Sequence, residues 1–169
     1  MMDGKPIFDE ITGDQSGAAV FIRQGQGFYE RGEWQPALDC LERALAVCHT
    51  DPRTDRRLEA RTLNLLGGLY YYRAGRQSET AGCYRQALEI SRELGDRAGE
   101  AKALFNLAGI YQAEGRYPEA KELLDWLVAL DRELDSPDLH SHLIVLGAVR
   151  KRLKRLGLVE SNHHWGDEN

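Results

Sequence analysis

Apolar residues recur at helical spacing through most of this chain. Between Gly99 and Glu114 they fall at Ala103, Leu104, Leu107, Ala108 and Tyr111, which is one face of a helix. Gly115 ends that helix, as a residue tolerant of positive φ should. Pro118 then stands early in the next helix, where its missing N–H costs little. That second helix carries a broad stripe of Ala120, Leu123, Leu124, Leu127, Val128 and Leu130. The start of the chain follows the same plan, with Gly32 as stop, Pro36 as early-helix proline and Ala37, Leu38, Leu41, Ala44 and Leu45 as stripe.

The plan occurs three times: Gly25-x-x-Phe28-x-x-x-Gly32 then Ala37, Gly68-x-x-Tyr71-x-x-x-Gly75 then Thr80, and Ala108-x-x-Tyr111-x-x-x-Gly115 then Ala120. A bulky residue follows four on (Leu41, Tyr84, Leu124), then another apolar one (Ala44, Ala87, Leu127). The turn glycines at 32, 75 and 115 set periods of 43 and 40 residues. Such self-similarity marks stacked helix pairs, in which small residues let neighbouring helices approach closely. The pattern predicts units over about residues 18–57, 58–97 and 98–137 within a domain spanning 15–157. A last helix over 138–156 carries Leu143, Leu146, Gly147, Val149 and Leu153 in register, and its Arg150-to-Arg155 run predicts the polar outer face of a cap. Residues 1–14 and 158–169 are polar and aperiodic, and mobility is expected there.

These residues resemble the tetratricopeptide repeat, whose pattern of small residue, Tyr, Gly, Ala, bulky apolar and Ala is met at most positions of all three units. The Pro that usually closes each repeat is absent, with His49, Arg92 and Arg132 in its place. The units also exceed the usual period of about 34 residues, which is similar to the long-helix subclass of bacterial regulators, kinesin light chains and spindle-orientation adaptors. The resemblance implies an all-α, right-handed superhelix (an α-solenoid) of three antiparallel helix pairs plus a C-terminal capping helix. It also implies a concave groove lined by the first helix of each pair. Carried over by position, that groove would include Ile22, Gln26 and Tyr29 from the first unit and Leu65, Leu69, Tyr72 and Arg73 from the second. Lys102, Phe105 and Gln112 would come from the third, and Ile144 and Lys151 from the cap. Members that clamp a chaperone's carboxylate use Lys and Asn where this chain has Ile22 and Gln26, so that specificity is not expected. An apolar centre with a cationic fringe suits a protein or peptide with apolar anchors and acidic flanks.

Composition narrows the function classes. The 169 residues carry a net charge of −5, so no global field favours nucleic acid. No apolar run approaches the roughly 18 residues of a membrane span, and the first residues lack the apolar core of a signal peptide. Cys40, Cys48 and Cys83 are odd in number and lack metal-type spacing, as suits reduced, buried thiols in a cytoplasmic protein. His140 and His142 do not face one ligand on a helix, and His163-His164 offers at most a weak adventitious site, so no metal or other cofactor is expected. No paired acid and base, nucleophile motif or phosphate loop stands out, and a non-catalytic adaptor or assembly factor is the expectation. A peptide-responsive regulator and a self-assembling homo-oligomer are the alternatives.

Overall fold

In the computed structural model, residues 17–51, 54–72 and 77–158 are described, and the expected mobile termini, Leu158 apart, lie outside them. Among the described residues all regular structure is helical. The helices are α1 (Gly17–Glu30), α2 (Trp34–Thr50), α3 (Arg56–Tyr72), α4 (Gln77–Glu93), α5 (Arg97–Ala113), α6 (Tyr117–Glu133) and α7 (Leu139–Arg155). The protein is thus an all-α helical repeat. It divides into two compact units, residues 1–94 and 95–169.

In the first unit α1 packs on α2, α3 on α4, and α2 on α3. Its core joins Ala18, Ile22, Leu38, Leu41, Leu66 and Leu69. Small residues set how near the helices come. A Cβ built on Gly25 would lie 3.1 Å from Leu41 Cγ and 3.2 Å from the Ala37 carbonyl oxygen of α2. Arg56 Nη1, at the start of α3, meets Glu93 Oε2 at the end of α4, 2.6 Å away, and this bond holds the arginine's pKa above its usual value.

In the second unit α5 packs on α6 and α6 on α7. The Asp96 side chain caps α5 by accepting from the Gly99 N–H at 2.9 Å, satisfying one donor that the helix itself leaves open. Gly115, at φ 76°, closes α5: its N–H bonds the Gln112 carbonyl and the Arg116 N–H bonds the Tyr111 carbonyl. That geometry turns the chain back into α6. Pro118 sits in the first turn of α6. Leu104, Leu107, Leu124 and Leu127 are among the buried residues here, and Leu146, Val149 and Leu153 are the buried side of α7. Arg97 and Glu133 pair at 2.5 Å, repeating the Arg56–Glu93 link of the first unit.

Candidate functional site

The first unit corrects the register of its second helix pair. Tyr70 is the buried aromatic, 9% exposed, with its hydroxyl donating to Glu42 Oε1 at 3.2 Å, whereas Tyr71 is exposed. The small position is Gly67: a Cβ there would meet the Tyr84 ring at 2.7 to 3.0 Å, against 3.8 Å to the Tyr84 hydroxyl from Gly68. The repeat therefore runs through Gly67 and Tyr70, one residue earlier than Gly68 and Tyr71. Leu69 accordingly belongs to the core at 2% exposure, and Leu65 is half-buried against it. Shifted by that one residue, the positions carried over from the repeat pattern become Arg61, Asn64, Gly68 and Tyr71. Asn64 is buried there, and its Oδ1 has no hydrogen-bond partner.

Ile22 is likewise core, with no exposed area, so it has no surface to give a ligand. Gln26 is half-buried, and its Nε2 is buried without a partner. Tyr29 stands edge-on to Trp34, ring centroids 5.1 Å apart. Tyr72 ends α3, but its side chain, like all of Arg73, lies outside the described residues.

The second unit gathers more accessible groups. Phe105 of α5 keeps 40% of its surface exposed and Ile144 of α7 keeps 61%. The Phe105 ring lies over His142 of α7, centroids 4.7 Å apart, so the two helices are neighbours on this side. His142 is itself anchored: its Nδ1 pairs with Asp131 Oδ2 of α6 at 2.7 Å, and the carboxylate side chain is 2% exposed. The histidine that carries no metal signal in the sequence thus props up the exposed phenylalanine. Lys102, three residues before Phe105 on α5, and Lys151, seven after Ile144 on α7, are exposed, as are Gly109 and Ala148. Gln112 turns away, its amide donating to the Ala108 carbonyl at 3.4 Å.

The basic run of α7 divides in two. Arg150 reaches Asp125 Oδ1 of α6 at 2.8 Å, and Arg152 lies 5.6 Å from the centre of the Tyr117 ring. Lys151, Lys154 and Arg155 point outward at the helix C-terminus, where cations complement the dipole. The cap is less polar than expected, since Leu143 and Ile144 of α7 and Leu156 and Leu158 just beyond its end are exposed.

Little in either unit suggests chemistry. Burial raises the Cys48 thiol to about 11, with the Glu59 carboxylate adding to the effect, and burial also raises Cys40. Such thiols are poor nucleophiles at neutral pH. Among the described residues, no group of three or more His, Cys, Asp or Glu side chains is placed to hold a metal ion. No described helix is long and apolar enough to cross a membrane.

Comparison with known proteins places this arrangement. A family model described as the tetratricopeptide repeat matches residues 16–93 and 78–133. No curated protein sequence matches the chain. Among solved structures, the apo form of RapI aligns with a TM-score of 0.75 at 17% identity, covering 90% of this chain and 54% of RapI. The chain thus spans about half of RapI's length. The nearly identical repeats of a putative kinesin light chain from Podosopora anserina align at TM-score 0.70 and 18% identity, covering 86% and 72% of the two chains. BtubC from P. vanneervenii aligns at 0.69 and 23% identity, covering 90% and 66%. Likeness at these identities is likeness of fold.

Proposed function

Since the chain belongs to the tetratricopeptide repeat family, whose members are protein–protein interaction modules, we propose that it captures a peptide or helical segment on the α5–α7 face of its second unit. The observation that carries this is the exposure of Phe105 on α5, at 40%, with its ring against His142 of α7; Ile144 of α7, at 61%, is the second exposed apolar group. Phe105 stands on α5, which buries Leu104, Leu107 and Tyr111, and Ile144 on α7, which buries Leu146, Val149 and Leu153, so both groups are carried by packed helices. A partner then loses its own freedom on binding, while the face loses little. Lys102 and Lys151 flank the two apolar groups and favour acidic residues on either side of the partner's anchors. The protein acts in this reading as a non-catalytic adaptor or assembly factor in the cytoplasm.

Truncating a buried anchor typically costs about 2 kcal/mol or more of binding, roughly a thirtyfold loss. Affinity capture from the source cells tests the assignment, with wild type beside Phe105→Asp and Gln112→Ala. A protein held by wild type and Gln112→Ala but lost with Phe105→Asp, at unchanged circular dichroism, supports it. Equal retention by all three moves binding off this face.

A further inference from the structure

The helix α7 sits on α6 as α3 sits on α2. Tyr70 and Thr62 of α3 bond Glu42 and Cys48 of α2, and Arg150 and His142 of α7 bond Asp125 and Asp131 of α6. The match is residue for residue. Glu42 and Cys48 stand five and eleven places after Ala37, and Asp125 and Asp131 five and eleven places after Ala120. Leu143 and Gly147 of α7 therefore occupy the positions of Leu63 and Gly67 in α3, and of Leu104 and Ala108 in α5. In α3 and α5 that side is shut: Leu63, Leu104 and Ala108 are buried, and the Tyr84 ring of α4 presses on Gly67. In α7 it is open. Leu143 is 38% exposed, and among the described residues nothing lies within 4 Å of a Cβ built on Gly147.

We propose that α7 of a second copy covers this side, the two copies pairing antiparallel about a twofold axis. Direction is the first argument. The turns at Gly32 and Gly115 send α2 and α6 back along α1 and α5, so the covering helix runs antiparallel to the helix it covers. A twofold axis across α7 gives it that same relation to its own copy. With the axis between Leu143 and Gly147, each Leu143 lies over the other copy's Gly147, where the absent side chain lets the helices approach closely.

Charge selects this occupant. The C-terminal end of α7 exposes Lys151, Lys154 and Arg155, and its N-terminal end exposes Asp135 and Asp138. The Asp138 side chain makes no capping bond to α7. At about 1.5 Å per residue, Asp138 lies roughly 10 Å from the axis on one side, and Lys151 and Lys154 roughly 9 and 14 Å from it on the other. Antiparallel pairing thus sets Asp138 of each copy beside the lysines of the other, at both ends of the contact. It also opposes the two helix dipoles. A parallel pair would bring lysine against lysine. One helix from each copy makes a small interface, below about 1,200 Å², so a weak dimer is expected.

The dimer does not depend on the proposed partner, and sedimentation equilibrium of the full chain alone tests it. Wild type should pass from one chain to two as concentration rises through the micromolar range, and should pair less at high salt. Gly147→Gln should stay at one chain with unchanged circular dichroism, because the new side chain meets open space in the single molecule and the other α7 in the pair. Asp138→Lys and Lys154→Glu should each pair more weakly than wild type. Their equimolar mixture should regain the loss, since every altered residue then faces an opposite charge. A wild type that stays at one chain overturns the proposal. So does a Gly147→Gln that pairs like wild type, or a mixture no tighter than its components. Mass climbing beyond two chains would also overturn it, because a twofold pair closes on itself.

Discussion

Two neighbouring glycines test the packing register directly. Gly67 and Gly68 both lie in the interior of α3, so an alanine at either gains the same helix propensity, about 1 kcal/mol. Their surroundings differ. At Gly67 the new methyl would fall 2.7 to 3.0 Å from Tyr84 ring atoms, and that ring is 6% exposed and has no room to withdraw. Overpacking of this kind costs about 1 to 3 kcal/mol. At Gly68 the nearest atom is the Tyr84 hydroxyl at 3.8 Å, an ordinary contact. Gly68→Ala should therefore stabilise by up to about 1 kcal/mol, whereas Gly67→Ala should be neutral or destabilising by up to about 2 kcal/mol. The propensity gain cancels in the comparison, leaving a difference of about 1 to 3 kcal/mol. Urea unfolding followed at 222 nm measures both midpoints. Equal midpoints, or a lower one for Gly68→Ala, would refute the register through Gly67 and Tyr70.

Other expectations follow from the same contacts. His142→Ala strips the nearly inaccessible Asp131 carboxylate of its 2.7 Å partner, so unfolding should show a loss of about 3 kcal/mol or more. Adding Asp131→Asn should recover part of that loss, since no buried charge is then left. Asp96→Ala removes the bond that caps α5 and should cost about 1 kcal/mol by the same assay. The Cys48 thiol, pushed up by burial from an ordinary 9.0 to about 11, is held in its neutral form by folding. Its contribution to stability is full below pH 9 and is lost as pH rises toward 11, with no change as pH falls. Alkylation in a Cys40→Ala, Cys83→Ala background should accordingly accelerate only as pH approaches 11, and acceleration centred near 9 would contradict the burial.

Helix boundaries were legible because glycine stops, early prolines and the apolar stripe each mark one event in the backbone. The register of α3 was not. Gly67-Gly68 and Tyr70-Tyr71-Tyr72 satisfy the repeat in two alignments, and the choice depends on a side chain in α4. Tyr84 stands where the other units have Leu41 and Leu124, and its larger ring demands the glycine beneath it. Ile22 and Leu69 show a second limit: periodicity says which face of a helix is apolar, but not which neighbour covers it. Both were expected in a groove, and both lie in the core of the first unit. Phe105 carries the same apolar signal and remains exposed. The ring contact with His142 could not be foreseen, since it joins α5 and α7 across residues with no shared pattern. The Arg56–Glu93 and Arg97–Glu133 pairs did leave a trace, an Arg opening one helix and a Glu closing the next in both units.

The central claim is that the α5–α7 face of the second unit meets the partner. A photo-activated cross-linking residue placed at Ile144 in the source cells tests it most directly, beside the same residue at Glu122, which is exposed on α6. The account predicts a discrete adduct of higher mass from position 144, lost when Phe105→Asp is added, and none from position 122. An adduct formed at 122 and absent at 144 would contradict it.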